Sequence, residues 1–339
     1  MMKTEKSILV YLLFIVLATF VSCSDDDDDD EITDGDWWEM SDFDGVPRSD
    51  AVSFVINDVA YIGLGYDGDD RLNDFWKYDL ENNYWQKIAT FPGEARNGAV
   101  AFSINGYGYV GTGYDGEDEL NDFWQYNPIT DTWTQKTDFM GSARYGAVGF
   151  SVDGKGYIGT GYDGNYLKDF YAYTPETDTW EQIISIGGSK RRDAACFVID
   201  GKAYVLSGLD NGVYEDDLWE YDPSTGYWTE KRAISDDDDD NSYDDEYTSI
   251  ARINGVGFTL NGYGYIATGS TGSMISNIWE YDPQQDLWAE KTSFEGTTRT
   301  EAVGFALGSY GFITTGRSST YYFDDIWEFD PEKEYDEDN

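Results

Sequence analysis

Residues 99–113 read Ala99-Val-Ala-Phe-Ser-Ile-Asn-Gly-Tyr-Gly-Tyr-Val-Gly-Thr-Gly113. Apolar positions alternate on both sides of Asn105-Gly106, and an Asn-Gly pair supplies the positive φ values of a tight hairpin. Downstream, Phe123-Trp124-Gln-Tyr126 reads as a third strand, Asn127-Pro128 opens a turn, and Trp133 falls on a fourth strand. Four such strands form one antiparallel sheet that cannot bury its own faces, so it must stack on copies of itself.

The copies are present. Asp153-Gly154, Asp200-Gly201 and Asn261-Gly262 repeat the hairpin turn. Eleven residues separate Trp85 from Arg96, Trp133 from Arg144, Trp180 from Arg191 and Trp288 from Arg299. Six residues after each arginine comes a strand phenylalanine: Phe102, Phe150, Phe197, Phe258 and Phe305, with Arg48 and Phe54 opening the series. That gives six units of about 48 residues, a period of propeller blades.

The chain ends fix how the ring closes. Pro128, Pro175, Pro223 and Pro283 are each followed five residues later by a tryptophan, but Pro331 is followed there by Asp336. The missing tryptophan stands at the other end, where Trp37 lies eleven residues before Arg48. The fold expected is an all-β, six-bladed propeller over residues 36–335, with residues 36–43 supplying the last strand of blade 6. Such closure leaves no open sheet edge.

The aromatic-glycine strand end Tyr109-Val-Gly-Thr-Gly113, the Tyr126/Trp133 pair and the arginine before each first strand resemble the kelch-repeat family. The resemblance covers roughly residues 37–335. One departure is that the family's Gly-Gly pair reads Leu64-Gly65, Thr112-Gly113, Thr160-Gly161, Ser207-Gly208, Thr268-Gly269 and Thr315-Gly316. Kelch repeats commonly carry the arginine as part of the blade, so Arg48, Arg96, Arg144, Arg191, Arg252 and Arg299 are expected to bond backbone carbonyls at the strand entry.

Ahead of the repeats, Lys3 and Lys6 precede an apolar run from Ser7 to Phe20 that is too short to span a bilayer, then Val21-Ser22-Cys23. The segment resembles a bacterial lipoprotein signal, with 1–22 removed and Cys23 acylated. Residues 23–35 are an acidic tether, whose aspartate run Asp25 to Asp30 self-repels and stays extended. A cysteine, a serine and an acidic run also look like the surface-export signal of Bacteroidetes-type lipoproteins. The expected location is therefore the outer membrane, facing the exterior, with residues 336–339 an acidic tail.

Composition narrows the partners. The formal charge of the 339 residues is −45, with Asp+Glu 67 against Lys+Arg 22, so nucleic acid and anionic lipid surfaces are poor partners. Membrane contact is expected only through the lipid anchor, and the chain is expected to be a monomer. There is no histidine, which removes the usual general base and metal-ligating imidazole. Galactose oxidase, a relative that holds copper partly through histidines, is thereby excluded as a functional analogue. Cys196 falls where other units have Ser53, Ala101, Gly149, Gly257 and Gly304, and reads as a small packed residue.

Loops joining strands two and three share a face with the strand-one entries, so a ligand-binding rim is expected there. Its candidates are Tyr66, Asp67, Asp69, Tyr114, Asp115, Tyr162, Asp163 and Asp210 from the first loops, and Asn97, Tyr145, Arg192, Asp193, Asn254 and Glu301 from the entries. Tyrosine faces cover the CH surface of a sugar, and carboxylate or amide oxygens hydrogen-bond its hydroxyls. Tyr-Asp-Gly is equally good turn chemistry. A thirteen-residue insertion within 235–250 is expected to join the same rim. Its Asp236, Asp238, Asp240, Asp244, Asp245 and Glu246 are candidate calcium ligands, although no stretch matches an EF-hand loop. No other cofactor is expected.

The leading expectation is a non-catalytic surface lipoprotein that engages a glycan or an envelope protein through this rim. Alternatives are a sugar-metabolising enzyme resembling N-acetylneuraminate epimerase, matched in scaffold but in no catalytic residue, and an envelope scaffold or adhesion protein.

Overall fold

The computed structural model describes residues 34–236 and 241–336. The signal at 1–22, Cys23, the tether as far as residue 33, Asp238, Asp240 and residues 337–339 lie outside them. Six four-stranded antiparallel sheets follow one another along the chain, and the described residues contain no helix.

Blade 2 shows the pattern: Val100–Ile104, Tyr107–Gly111, Phe123–Asn127 and Thr132–Gln135 run from the centre of the ring outward. In blade 6 the outermost strand is Asp36–Glu39, paired antiparallel with Ile326–Asp330 in the register Asp36↔Asp330 and Trp37↔Phe329. The ring therefore closes through its N-terminal strand, as the displaced tryptophan requires. Trp37 is fully buried, and its ring lies 5.0 Å from Phe294 and 4.7 Å from Phe329.

There is no single core. Six apolar clusters each join two neighbouring blades, the one between blades 1 and 2 gathering Phe54, Tyr61, Phe75, Phe91, Val110 and Tyr126. Period-two alternation produces this on the innermost strands: Val52, Phe54 and Ile56 face the next blade, whereas Ala51 and Ser53 face the channel.

The six repeat arginines are all buried, and each is a structural clamp. In blade 2, Arg96 Nε donates to Glu94 O, Nη1 to Thr112 O, and the fork reaches both oxygens of Asp122. The carbonyl bonds are the expected ones. The carboxylate, 25 or 26 residues downstream, repeats as Asp74, Asp169, Asp217 and Asp325, and also accepts from the aromatic residue two positions on, such as Trp124 Nε1.

The same clamp explains the departure from Gly-Gly. Leu64, Thr112, Thr160, Ser207, Thr268 and Thr315 all sit at left-handed φ between +53° and +61°. That region is strained for a β-branched residue, and the carbonyl of each is held by its arginine. The glycine that follows is less replaceable, because a Cβ on Gly65 (φ +99°) lies 2.7 Å from Ser49 O.

Blade 5 breaks the rule. Asn277 stands where the carboxylate should be, and Arg252 instead bonds only carbonyls, including Thr268 O at 2.8 Å and Asn277 O at 2.9 Å. Burial pushes that guanidinium down to about 9, with Glu290 opposing the shift.

Candidate functional site

The entry turn of every blade carries one residue in the left-handed region at the channel mouth: Asp50, Gly98, Gly146, Asp193, Asn254 and Glu301. Their peptide groups bond head to tail from blade to blade. Asp50 N donates to Glu301 O (2.8 Å), Gly98 N to Asp50 O (3.2 Å), Gly146 N to Gly98 O (3.0 Å), Asp193 N to Gly146 O (2.8 Å) and Asn254 N to Asp193 O (3.0 Å). With those backbone groups consumed, the mouth's chemistry belongs to the side chains.

Above this ring, bridges such as Asn97↔Tyr114, Tyr145↔Tyr162 and Thr300↔Arg317 place the entry turns beside the loops between strands two and three. The two loop sets thus share one face, as the blade topology requires. They enclose a bowl of about 390 Å³ lined by Asp50, Asn97, Tyr145, Arg192, Asp193, Asn254, Ser270, Thr300, Glu301 and Arg317, among others. Below it the channel narrows through a rung of Ala51, Ala99, Ala147, Ala194, Gly255 and Ala302. Cys196 is on the wall deeper in, where burial pushes its thiol up to about 12, so it is no nucleophile.

Charge in the bowl is paired. Arg317 grips Glu301 through Nε (2.6 Å) and Nη2 (2.8 Å), and Ser49 Oγ donates to the same carboxylate. Arg192 Nε stands 3.2 Å from Asp193 Oδ2, while Nη1 donates to Tyr145 Oη at 2.8 Å. Asp50 has no cation of its own and accepts from Asn97 Nδ2 at 2.6 Å. Enclosure by the channel wall, then Glu301, pushes the Asp50 carboxyl up to about 7, against the Asn97 bond. Enclosure likewise pushes Asp193 up to about 6, opposed by Arg192. Thr300, only 8% exposed, lines the bowl with a hydroxyl that has no partner among the described residues.

Six of the rim candidates therefore line the bowl: Asn97, Tyr145, Arg192, Asp193, Asn254 and Glu301. The others lie in the loops around it. Tyr66 and Tyr114 turn their hydroxyls onto Gly68 O and Gly116 O of their own loops. Asp67, Asp115 and Asp163 accept backbone N–H groups inside their turns, and those of Asp118 and Glu117 hold the Asp115 carboxyl below its usual range. Asp69 is exposed on the first of these loops, and Asp210 lies on a small ribbon of Leu209–Asp210 paired with Val213–Tyr214.

Arg71 and Arg317 are the additions, while Asp50 lies in the entry loop where the sequence places it. Arg71 sits over the rings of Tyr66 (5.3 Å) and Tyr114 (4.9 Å) and donates to Asn97 Oδ1, tying blade 1 to blade 2. The signal for them was position: each follows the turn motif or the repeat arginine by a fixed number of residues.

The insertion does not join the mouth. Its described residues pack along the outer strands of blade 5, with Tyr247 buried against Trp279 and accepting from Trp288 N, and Tyr243 and Glu246 beside the same tryptophans. The apolar Ile234, Tyr247 and Ile250 draw it there, because they complete the core between blades 4 and 5. Of the metal candidates, Asp236, Asp244 and Asp245 bring one carboxylate oxygen each within 4.8 Å of one another. Asp238 and Asp240, which belong to the same candidate set, lie outside the described residues. Glu246 faces the tryptophans instead.

Six blades, each pinned by a buried arginine, in a ring closed by one borrowed strand, define a β-propeller of the repeat type. A family model described as N-acetylneuraminate epimerase matches residues 45–179, and a model described as the kelch motif matches residues 190–232. The chain belongs to the kelch-repeat propeller family. Among solved structures, one titled "Structure of YjhT" superposes with a TM-score of 0.72 at 19% identity, over 85% of this chain and 95% of that chain. At that identity the likeness speaks for the fold. No curated protein matches the chain closely enough to count as a relative.

Proposed function

We propose that the bowl at the channel mouth is a sugar-binding site, carried by an outer-membrane lipoprotein that presents it to glycans outside the cell. The observation that supports it most is the composition of one concavity of about 390 Å³, within the range of small-molecule sites. There, carboxylates, amides and an unpartnered threonine hydroxyl surround the ring of Tyr145, which is the pairing a polyhydroxylated ring needs. The test is a glycan array with and without calcium, followed by saturation-transfer NMR on the hits. Tyr145→Ala and Asn254→Ala are expected to weaken binding at least tenfold without unfolding the protein. Silence on the array, with binding of an envelope protein instead, refutes the reading.

One observation favours a second reading, in which the site acts on its sugar. The family model described as N-acetylneuraminate epimerase covers blades 1 to 3, which supply Asp50, Asn97 and Tyr145 to the bowl. Interconversion of anomers above the solvent rate, followed by NMR, supports that reading; a bound sugar that equilibrates no faster than in water excludes it.

A further inference from the structure

Outside the channel, the insertion that follows blade 4 and the outer strands of blade 5 enclose a second cavity, of about 330 Å³. Trp279, Trp288, Tyr243 and Tyr247 give it aromatic walls, and Asp245, Glu246 and Glu290 place carboxylates around it. Both tryptophans are buried, whereas the three acids are exposed. None of the described lining residues is basic. The chain's own Arg232 already lies over one of these rings, 4.9 Å from the centre of Tyr243, so the aromatic wall suits a cation.

The other blades show that the cavity also holds an unmet donor. In blades 2, 3, 4 and 6 the indole N–H of the outermost tryptophan donates to a carbonyl of the preceding blade. The pairs are Trp133 to Ala89 O, Trp180 to Thr137 O, Trp228 to Ile184 O and Trp37 to Thr292 O. Each acceptor lies four residues past the preceding blade's tryptophan, and for Trp288 that position is Arg232. There the chain leads into the insertion, and Trp288 Nε1 has no partner among the described residues, although the side chain is more than nine-tenths buried. The insertion meets the strand elsewhere, with Tyr247 Oη accepting from Trp288 N at 2.7 Å. Trp85 Nε1 is the other buried indole without an acceptor, but Trp85 is packed on Phe43 and Tyr78 in the core between blades 6 and 1.

We propose that this cavity docks a basic segment of a partner protein, taking one lysine or arginine side chain. The charged head sits among Asp245, Glu246 and Glu290, and the methylene stem lies against the aromatic walls. A backbone carbonyl of the segment accepts from Trp288 Nε1, which removes the cost of an unpaired buried donor. An isolated cation satisfies the acids and leaves the indole unpaired; an extended peptide carries both groups. A formal charge of −45 draws basic partners to the whole surface, and the cavity gives one of their side chains a place. The proposal is independent of the bowl and of any sugar bound there.

The experiment follows indole N–H resonances of the full-length protein in detergent, labelled with ¹⁵N-tryptophan, at physiological salt. Trp288 and Trp85 are assigned with Trp288→Phe and Trp85→Phe. The probes are acetyl-Gly-Lys-Gly-amide, the same peptide with its lysine acetylated, and tetramethylammonium. The lysine peptide is expected to bind saturably and to shift the Trp288 resonance while leaving that of Trp85 in place. Acetylation is expected to abolish the shift, and Asp245→Asn/Glu246→Gln to weaken binding about fivefold or more. An unmoved Trp288 resonance, an equal shift at Trp85, or unchanged affinity in the double variant reduces any binding to general attraction by an acidic surface and overturns the proposal. A shift produced as readily by tetramethylammonium makes the cavity a small-cation site and overturns the peptide reading. Should the double variant fail to fold, the contrast between the two wild-type indoles decides alone.

Discussion

Replacing Trp37 by alanine tests the ring closure directly. The side chain is fully buried between blades 5 and 6, packs on Phe294 and Phe329, and its indole N–H donates to Thr292 O at 3.2 Å. Truncating a buried tryptophan costs about 3 to 5 kcal/mol, and leaving the Thr292 carbonyl without its donor adds about 1 kcal/mol. The strand that carries it is only four residues long. For a chain of this size each kcal/mol moves the melting temperature by roughly 2 °C, so a fall of about 8 to 12 °C is expected in calorimetry. Trp38 is the control. It is next in sequence but on the other face of the strand, partly exposed beneath Lys333 at 4.9 Å. Trp38→Ala is expected to shift the midpoint by no more than about 2 °C, since partly exposed sites contribute little. Equal losses for the two variants, or none for Trp37→Ala, refute the argument that the N-terminal strand closes the ring.

Asp122→Asn leaves a fully buried Arg96 guanidinium without its counter-charge, and breaking such a pair costs about 3 kcal/mol; urea denaturation should show it, and an unchanged midpoint would mean that the carbonyl bonds suffice, as they do at Arg252. The raised carboxyls make stability pH-dependent. Asp50 binds its proton in the folded state up to about 7 against an ordinary value of 3.8, so its contribution is complete below that value and is lost as pH rises toward 7 and above. The melting temperature should therefore be higher at pH 5 than at pH 8, with a smaller difference in Asp50→Asn. Cys196, pushed up to about 12 in the channel wall, should resist iodoacetamide at pH 8 in a folded Cys23→Ser protein and react fully in guanidinium.

The fold was legible because a propeller repeats its physics. Every interblade core needs the same aromatic at the same register, so spacing alone locates Tyr78/Trp85, Tyr126/Trp133 and Tyr281/Trp288, and the one missing partner has to be Trp37. The carboxylate of the arginine clamp was equally visible, in Asn73-Asp74-Phe75-Trp76 and Asn121-Asp122-Phe123-Trp124, yet it reads as one acid among 67 until a buried cation is set beside it.

The bowl was legible only in part, for a physical reason. Whether an acid faces a ligand or its own backbone depends on φ at the residue that carries it. Asp67 and Asp115 satisfy adjacent N–H groups and are lost to the turn. Asp50 and Asp193 sit in the left-handed region, where the backbone is tied to the next blade and the side chain is left to the channel. Positions that repeat faithfully are bound by packing and answer to the scaffold. Those that break the repeat while keeping its backbone, as Gly98 and Gly146 do beside Asp50 and Asp193, are free to answer to something else. A ring built to be six-fold varies this position as Asp, Gly, Gly, Asp, Asn and Glu, at the one mouth where a ligand could use the difference.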